Sequence, residues 1–384
     1  FQYHASWLAH PARFSLEPSL AVGAGAFHPG AGREMFGSIG DSAPDTWGRQ
    51  LMQRAERRAA DAERRAARTL HEADFLLGVT DVSRLGALRF KCPSNEDFQR
   101  PIGAGVPGFV NLGRLLESAG RIERGEETDE DLAMIFAPGS SLGGARPKAS
   151  VMDAYGRLAI AKFPKDTDAY SVETWESIAL TLAGRARINT SEHALQTVGD
   201  RPVLISWRFD RAGGARIPFL SAMSMLQARD GERASYPEIV DEIARHGAQA
   251  GVDSAELFRR MVLNILISNV DDHLRNHGFL WQGQGGWKLS PAYDLNPMPT
   301  DLKARILSTN ISLDEATCSI DLAVEQAGLF GMSQAQGKII AAEVAAAVKS
   351  WRDVAAAVGQ SQRQIDRMES AFEHTDLEKA LGWQ

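Results

Sequence analysis

The order of local patterns in the middle of the chain constrains its fold most strongly. A glycine-rich loop, Gly139–Lys148, precedes two short apolar runs with strand character, at 149–152 and 158–163. A helical spacing of apolar residues follows over 173–185, and a further strand-like run over 203–209. This order of loop, strand, strand, helix and strand predicts a mixed α/β lobe with a nucleotide site at the glycine-rich loop.

The second half of the chain predicts a different lobe. It is mainly helical, most clearly at 237–246 and 255–269. The 384 residues exceed the roughly 250–300 at which one core stops growing, so at least two subdomains are expected. We predict an α+β, two-lobed protein-kinase-like fold with a mixed α/β N-terminal lobe and a mainly α-helical C-terminal lobe. The expected divisions are a remnant of an N-terminal β subdomain at 1–40, the N-lobe at 41–210 and the C-lobe at 211–384.

Composition and charge exclude several classes of protein. The chain is 44% hydrophobic and 24% charged, as in soluble globular proteins, and its longest apolar stretches are too short to span a bilayer. Cys92 and Cys318 form no CxxC pattern, so we expect neither a disulfide framework nor a zinc site, but a reducing cytoplasm. The net charge of −7 argues against a surface that coats nucleic acid, and no secretion signal is expected.

Three segments carry weaker signals. Phe1, Tyr3 and Trp7 alternate as in a strand, which predicts β structure near the start. The arginine-rich run 54–68 predicts a helix whose charges either cover a solvated face or contact phosphate or an acidic partner. The acid-rich segment 121–131 predicts an exposed linker.

The segment Asp271-Asp-His-Leu-Arg-Asn276 carries the strongest chemical signal. An aspartate five residues before an asparagine, at the end of a buried helix, places a base and a metal-binding carboxamide at one cleft. A predicted hairpin then returns Asp294 to the same place. Alone, Asp271 and Asp272 could equally cap a helix or a turn. Together with Asp294, the segment predicts phosphoryl transfer, with Asp271 as base and with Asn276 and Asp294 as Mg²⁺ ligands.

Residues upstream supply groups that would bind ATP. Gly143 and Gly144 have no Cβ, so their backbone N–H groups can approach phosphate, although such loops are often simple turns. Lys162 lies on an apolar strand that would hold its ammonium over the nucleotide, but a lysine on an edge strand can also face solvent. Glu176 on the next helix is the first candidate to position Lys162, and Glu173 is the second.

His273 and His277 permit a different hypothesis, because histidines four apart on a helix can share a transition metal with Asp271. A strand rather than a helical turn follows, and no HExxH arrangement is present. We therefore expect His273 to pack or to hydrogen-bond within its loop.

Several segments together resemble the HipA family of toxin kinases, the toxin halves of type II toxin–antitoxin systems. The resemblance runs from Phe1 almost to the C-terminus. The segments that carry it are Phe1–Leu8, Ala43–Arg49, Ser141–Lys148, Trp207–Arg211, Asp271–Asn276 and Pro291–Asp294.

The resemblance implies roles for individual residues. Asp271 matches the catalytic base and Lys162 the ATP lysine. Ser141 matches the serine that family members autophosphorylate, with Ser140 as the adjacent alternative; roughly two added negative charges would repel ATP there. Trp207 stands where the best-known members have an acidic residue, which leaves adenine to backbone groups. The other nucleotide or metal contacts implied are Gly143, Gly144, Ala145, Arg146, Pro147, Lys148, Trp207, Arg208, Phe209, His273, Leu274, Arg275, Asn276, Tyr293 and Asp294.

We therefore expect an ATP- and Mg²⁺-dependent serine/threonine protein kinase acting on a host protein, and the resemblance implies an aminoacyl-tRNA synthetase as target. It also implies a HipB-like helix-turn-helix antitoxin, with DNA reached only through that complex. The β subdomain starts part-way, so its first strands are either missing or supplied by a separate small protein. Two alternatives stay open: a nucleotide-binding pseudokinase that serves as antitoxin partner and co-repressor, and a metal-dependent hydrolase. The presence of Lys162, Asp271, Asn276 and Asp294 favours the active kinase.

Overall fold

The computed structural model describes residues 1–93, 97–99, 106–136 and 144–383. The chain forms two compact units. The first comprises Phe1–Glu173 and Glu192–Leu220, and the second comprises Thr174–Ser191 and Ser221–Gln384. The domain boundaries expected at residues 40 and 210 stay predictions.

The first unit combines short helices with a small sheet. Its helices are α1 Ala5–Leu8, α2 Gly37–Gly40, α3 Thr46–Ala62, α4 Glu72–Gly78, α5 Leu112–Arg124 and α6 Asp129–Phe136, with a 3₁₀ turn at Phe109–Asn111. Its strands are β1 Lys148–Met152, β2 Leu158–Lys162, β3 His193–Val198, β4 Arg201–Trp207, β5 Arg211–Ala212 and β6 Ala215–Arg216, and β7 Phe219–Ser221 ends at the boundary.

An antiparallel sheet of order β1-β2-β4-β3 forms the framework of the first unit. Its buried face carries Val151 and Phe163, which pack in one core with Leu115 and Ile122 of α5 and Ile135 of α6. β1, β2 and β4 lie where the sequence predicts them, because their apolar runs are buried between the sheet and these helices. The partly buried β3 was not predicted.

The second unit is mainly helical. Its helices are α7 Val172–Arg185, whose first two residues belong to the first unit, then α8 Ala222–Met225, α9 Tyr236–His246, α10 Ala250–Leu266, α11 Ile320–Glu325, α12 Gln334–Val348, α13 Trp351–Ala357, α14 Gln362–Arg367, α15 Glu369–Phe372 and α16 Thr375–Leu381. A hairpin joins β8 Gly278–Trp281 to β9 Trp287–Leu289, and 3₁₀ turns occur at Leu274–Asn276, Gly283–Gly285 and Gln326–Phe330.

Large aromatic side chains and α10 hold the second unit together. The rings of Trp351 and Phe372 stack with centroids 4.6 Å apart, and Trp175 lies 6.0 Å from Trp351. The second half of α10 is buried almost all round, as expected for a helix inside a core. Among the described residues, no helix is long and apolar enough to cross a membrane.

The strand expected near Phe1 is wrong. Residues 1–40, all of them described, contain no strand, and α1 occupies Ala5–Leu8. The alternating aromatic residues form a local cluster instead: the Tyr3 hydroxyl donates to the Leu20 carbonyl at 2.7 Å, and the Phe1 ring packs edge-on against Tyr3. The period of two therefore reflects packing within this segment rather than strand pairing.

The exposed linker expected at 121–131 is also wrong. α5 continues to Arg124 and α6 begins at Asp129, so only four residues connect them. Asp131 is buried, and its carboxylate accepts hydrogen bonds from Arg121 and Thr128. The Arg121 guanidinium keeps the pKa of Asp131 well below its usual range. The acids that resemble a linker in sequence are helix starts and internal ion pairs.

The arginine-rich run is helical only in its first part: α3 ends at Ala62, and residues 63–68 follow the helix. Arg54 pairs with Glu127, Arg58 with Asp129, and Arg65 with two further acids. Because these arginines have partners within the unit, the structure favours the interpretation of a solvated face.

Candidate active site

The described part of the glycine-rich loop starts at Gly144; Gly143, Ser141 and Ser140 lie outside the described residues. Gly144 has a φ of +119°, which strains any residue with a Cβ. A Cβ there would lie 2.9 Å from the Lys148 Nζ. A residue with a Cβ is therefore disfavoured by the backbone conformation, and it would also have to displace the Lys148 ammonium.

The start of α3 holds this loop in place. The Trp47 backbone N–H donates to the Gly144 carbonyl at 3.3 Å, and the Trp47 indole Nε1 donates to the Lys148 carbonyl at 3.2 Å. The Lys148 Nζ lies 2.9 Å from Oδ2 of Asp45, and both side chains are buried. The other oxygen of Asp45 caps α3 by accepting the Gly48 N–H at 2.7 Å. Sequence reasoning assigned no role to Asp45 or Trp47, although both lie in a segment that carried the resemblance.

Arg146 is fixed by two acids. Its guanidinium donates to both oxygens of Asp168, at 2.8 and 2.5 Å, and to Oε1 of Glu173 at 2.7 Å. Although burial opposes its charge, these carboxylates raise the pKa of Arg146 above its usual value. Glu173, the second candidate to position Lys162, thus contacts Arg146. Glu176, the first candidate, is buried one turn further along α7.

Lys162 and Lys148 are direct cross-strand partners in the β1–β2 pair. The Phe163 N–H also donates to the Pro147 carbonyl at 2.9 Å, which extends the pairing into the loop. The first unit therefore brings the expected ATP lysine next to the end of the glycine-rich loop, as the resemblance implies.

Two backbone N–H groups of the predicted adenine hinge already donate hydrogen bonds within the first unit. The Trp207 N–H donates to the Glu192 carbonyl at 2.8 Å, and the Arg208 N–H donates to the Leu158 carbonyl at 2.9 Å. The Trp207 indole donates to Asp153 at 3.0 Å. An adenine contact at Trp207 or Arg208 would therefore use a backbone carbonyl rather than an N–H.

Arg208 itself belongs to a buried ion cluster. Its guanidinium donates to Asp210 at 2.7 Å and to the Ser83 carbonyl at 2.9 Å, while Arg211 reaches the same aspartate at 2.7 Å. Burial alone would raise the pKa of Asp210, but the two arginines outweigh burial and lower it. The Arg208 side chain therefore holds the hinge to the segment around Ser83, and its expected contact with the nucleotide stays a prediction for its backbone.

In the second unit, the loop after α10 closes on itself. The Asn276 side chain donates to the Asp271 carbonyl at 3.2 Å, and the His273 N–H donates to that carbonyl at 2.9 Å. The Asp271 carboxylate is 59% exposed and lies 3.9 Å from the Lys303 Nζ. Leu274 is buried beneath the loop. The main chain thus brings Asp271 and Asn276 together and leaves the Asp271 carboxylate facing solvent.

Asp272 has the structural role that sequence reasoning left open for both aspartates. It is buried and accepts hydrogen bonds from the Tyr236 hydroxyl and from Nε2 of His277, the latter at 3.2 Å. Burial raises the pKa of Tyr236 well above its usual value. Because the His277 ring is hydrogen-bonded to Asp272, it does not share a ligand site with His273 in this structure. Among the described residues, no group of three or more His, Cys, Asp or Glu side chains is arranged to hold a metal ion.

Asp294 follows the hairpin and is tied to the same loop. The Asn296 N–H donates to Oδ1 of Asn269 at 3.1 Å, and the Asn296 side chain donates to the Asp294 carbonyl at 3.3 Å. Asn269 lies two residues before Asp271, so this bond joins the two aspartate segments. Asp294 has a φ of +60°, a conformation that costs a non-glycine residue energy and is concentrated at functional sites.

Tyr293 and Arg275 complete the local network. The Tyr293 hydroxyl donates to the Arg275 carbonyl at 2.6 Å, and the Arg275 guanidinium forms a bidentate pair with Asp230. The second unit thus brings together the expected residues of the catalytic loop and the metal-binding segment.

A family model of the HipA-like C-terminal domain matches residues 140–352, which is more than half of the chain. The chain belongs to the HipA family. The structure and this family match confirm the α+β kinase-like fold expected from the sequence. The family match includes every candidate site residue named above, from Ser140 to Asp294.

Relatives of this HipA-family chain agree with the assignment. It is 32% identical over 77 residues to a provisionally named kinase of Haemophilus influenzae, a match that covers 19% of this chain and 22% of that protein. The chain thus spans about a fifth of the length of this curated relative.

One solved structure shows the same fold over nearly the whole chain. HipA of Shewanella oneidensis, in a complex with HipB and its operator DNA, matches with a TM-score of 0.67 and 15% identity, covering 98% of this chain and 90% of that one. The Helicobacter pylori proinflammatory kinase CtkA matches with a TM-score of 0.47 and 16% identity, covering 62% and 90%. The second likeness is too low to support an inference.

Proposed function

We propose that this HipA-family chain is an ATP- and Mg²⁺-dependent serine/threonine protein kinase that arrests growth by phosphorylating a host protein. The observation that carries the proposal is the hydrogen-bonded link between the Asp271 and Asp294 segments. The Asn269–Asn296 bond joins them, and the Asn276 side chain is bound to the same loop. Phosphoryl transfer needs a base and two metal ligands around one reacting group, and these two joined segments carry all three groups.

Each group has a role that follows from its placement. Asp271, exposed on a fixed loop, accepts the proton of the attacking hydroxyl. Asn276 and Asp294 would hold Mg²⁺, which supplies charge neutralisation between the ATP phosphates. Lys162 would bind those phosphates beside the backbone N–H groups of the loop that ends at Lys148, and Glu176 would orient Lys162.

Autophosphorylation of Ser141 is the regulatory part of the proposal, with Ser140 as the adjacent alternative. A phosphate in this loop would place roughly two negative charges among the N–H groups that bind ATP, and would switch the kinase off. Intact mass and peptide mapping of the purified chain check this step. A single added phosphate on Ser141 that is absent from Asp271→Asn is expected.

The proposed partner is an antitoxin of the HipB type, with operator DNA contacted through that complex. Support comes from the Shewanella oneidensis structure, whose HipA is bound to HipB and DNA. A separate small protein that completes the N-terminal region is a further proposed partner.

The function is tested with labelled ATP and Mg²⁺, with the chain alone and with cell extract. Asp271→Asn is compared with wild type and with Asp314→Asn, an exposed aspartate of the same unit outside the loop. We expect label on the chain or on an extract protein with wild type and Asp314→Asn, and none with Asp271→Asn. ATP binding without transfer by wild type would instead identify a pseudokinase, and transfer by Asp271→Asn would reject the assigned base.

A further inference from the structure

An open cavity of about 500 Å³ lies beside Asp271, entirely within the second unit. One wall is the catalytic loop at 273–275, a second is the segment 229–233, and a third is the segment 303–308. The volume is within the roughly 300–1,000 Å³ of typical ligand sites. Because its walls come from one unit, the cavity exists independently of the glycine-rich loop.

The cavity lies next to the proposed catalytic base, which is not itself among the lining residues. Lys303 lines the cavity, and the Lys303 Nζ lies 3.9 Å from Oδ1 of Asp271. A peptide whose hydroxyl meets Asp271 would therefore carry its neighbouring residues along the cavity. His273, which also lines the cavity, has a buried Nδ1 atom without a hydrogen-bond partner among the described residues.

The charge of the cavity is opposite to that of the chain. Four cationic and two anionic side chains line it: Arg229, Arg233, Arg275, Lys303, Asp230 and Glu232. Arg275 is paired with Asp230, and the Arg229 Nε lies 3.8 Å from Glu232. These six lining side chains carry a net charge of +2, whereas the whole chain has a net charge of −7.

Arg233 is the cation most open to a ligand. It is exposed, and within the described residues it has no hydrogen bond or ion pair, although its charge also acts on the Glu315 carboxylate. The same cavity also has apolar lining residues: Ile306 is 45% exposed, and Leu307 is buried. A cation beside an exposed apolar surface suits a peptide that presents one acidic and one apolar side chain.

We propose, on the basis of the proposed kinase function, that this cavity binds the segment of the protein substrate next to the acceptor hydroxyl and that Arg233 and Lys303 select an acidic side chain there. The two carboxylates on the same walls argue against a continuous phosphate backbone as occupant, because they would repel it.

The test measures peptide binding apart from phosphoryl transfer. Fluorescent nonapeptides centred on serine, with Asp or Lys at each flanking position in turn, are titrated by anisotropy with Mg²⁺ and a non-hydrolysable ATP analogue present. We expect wild type to bind at least fivefold more tightly when Asp occupies one or two adjacent positions. Arg233→Glu should reverse the preference toward Lys, and Arg233→Lys should retain it. The control Arg245→Glu, an exposed arginine on α9 outside the cavity, should behave as wild type.

Two results would overturn the cavity assignment: no preference at any position, or the same preference in Arg233→Glu. Tighter binding of a single-stranded RNA oligomer that depends on Arg233 would assign the cavity to nucleic acid instead. Transfer of label from ATP to the same peptides is scored separately. Phosphoryl transfer without a binding preference would support the kinase function and reject the role of the cavity. A binding preference without transfer would support the role of the cavity and reject the kinase function.

Discussion

Two charged motifs stand out in this chain, Trp207–Arg211 in the first unit and Asp271–Asn276 in the second, and the structure treats them differently. In the first, Asp210 is fully buried between arginines that also bind main-chain carbonyls. In the second, Asp272 is 2% exposed and Asp271 is 59% exposed. A motif whose charges are buried and paired internally stabilises the fold, whereas an exposed carboxylate on a fixed loop is available for chemistry.

The largest expected effect is on catalysis at Asp271, with little change in stability. Asp271→Asn should lower phosphoryl transfer by roughly 10²–10⁴-fold, because it removes the base and retains the shape. The free energy of unfolding should change by less than about 0.5 kcal/mol, as for other exposed positions. Initial rates and urea unfolding of the same preparation check both. A large loss of stability would mean that Asp271 has the structural role assigned to Asp272.

The opposite outcome is expected for Asp210. Asp210→Asn leaves Arg208 and Arg211 buried without a counter-charge, which should cost roughly 3–5 kcal/mol. The control is Asp129→Asn, which breaks the exposed ion pair between Arg58 and Asp129 in the same unit. Urea unfolding of this control should show a loss of less than about 1 kcal/mol in the free energy of unfolding. Equal losses in the two variants would contradict the role assigned to the cluster.

The two units should also differ in their response to acid. Burial lowers the pKa of His374 to about 4, and its Nδ1 accepts the Leu377 N–H at 3.3 Å, which requires a neutral ring. The unfolded chain takes up this proton near pH 6.5, so the stabilisation is complete above pH 6.5 and is lost as the pH falls toward 4. The pKa of Asp210 is lowered instead, so its contribution is lost only as the pH falls below about 3.8.

Between pH 7 and pH 5, therefore, the second unit should lose about 2 kcal/mol through His374, and the Asp210 cluster should lose little. Hydrogen exchange in peptides from α10 and from β4 measures the two units separately. His374→Gln should reduce the acid sensitivity of α10, and His10→Gln, an exposed histidine of the first unit, should not. An equal response to acid in the two units would contradict this assignment.

The smallest expected effect concerns the neighbour of the base. Asp272→Asn retains one acceptor for the Tyr236 hydroxyl but weakens the bond from His277, so a loss of about 1 kcal/mol in the free energy of unfolding is expected. Transfer per folded molecule should change by less than about threefold, which corresponds to roughly 0.7 kcal/mol in the barrier. If Asp272→Asn abolished transfer as Asp271→Asn is expected to, the division of roles within the pair would be wrong.

Sequence reasoning failed where a local pattern had two physical causes. Alternating aromatics predicted a strand at Phe1–Trp7, but Tyr3 and its neighbours pack against Leu20 and Phe36 of the same segment. The acids of 121–131 predicted a linker, but Asp131 pairs with Arg121 inside the unit. Periodicity and composition are the same in either case, and only the distant partner distinguishes them.

The sequence by itself determined β1, β2, β4, α7, α9, α10 and the hairpin before Asp294, the candidate residues around Asp271 and Asp294, and the family resemblance. These depend on local periodicity, turn residues and motif spacing, all of which can be read along the chain. The tertiary structure decided which charged groups are committed to the fold. Trp47 binds the carbonyl of Lys148, 101 residues away, and Arg208 binds that of Ser83, 125 residues away. A polar group is either satisfied by such a distant partner or left open for a ligand, and this cannot be read from spacing, because the partner is chosen only when the chain has folded.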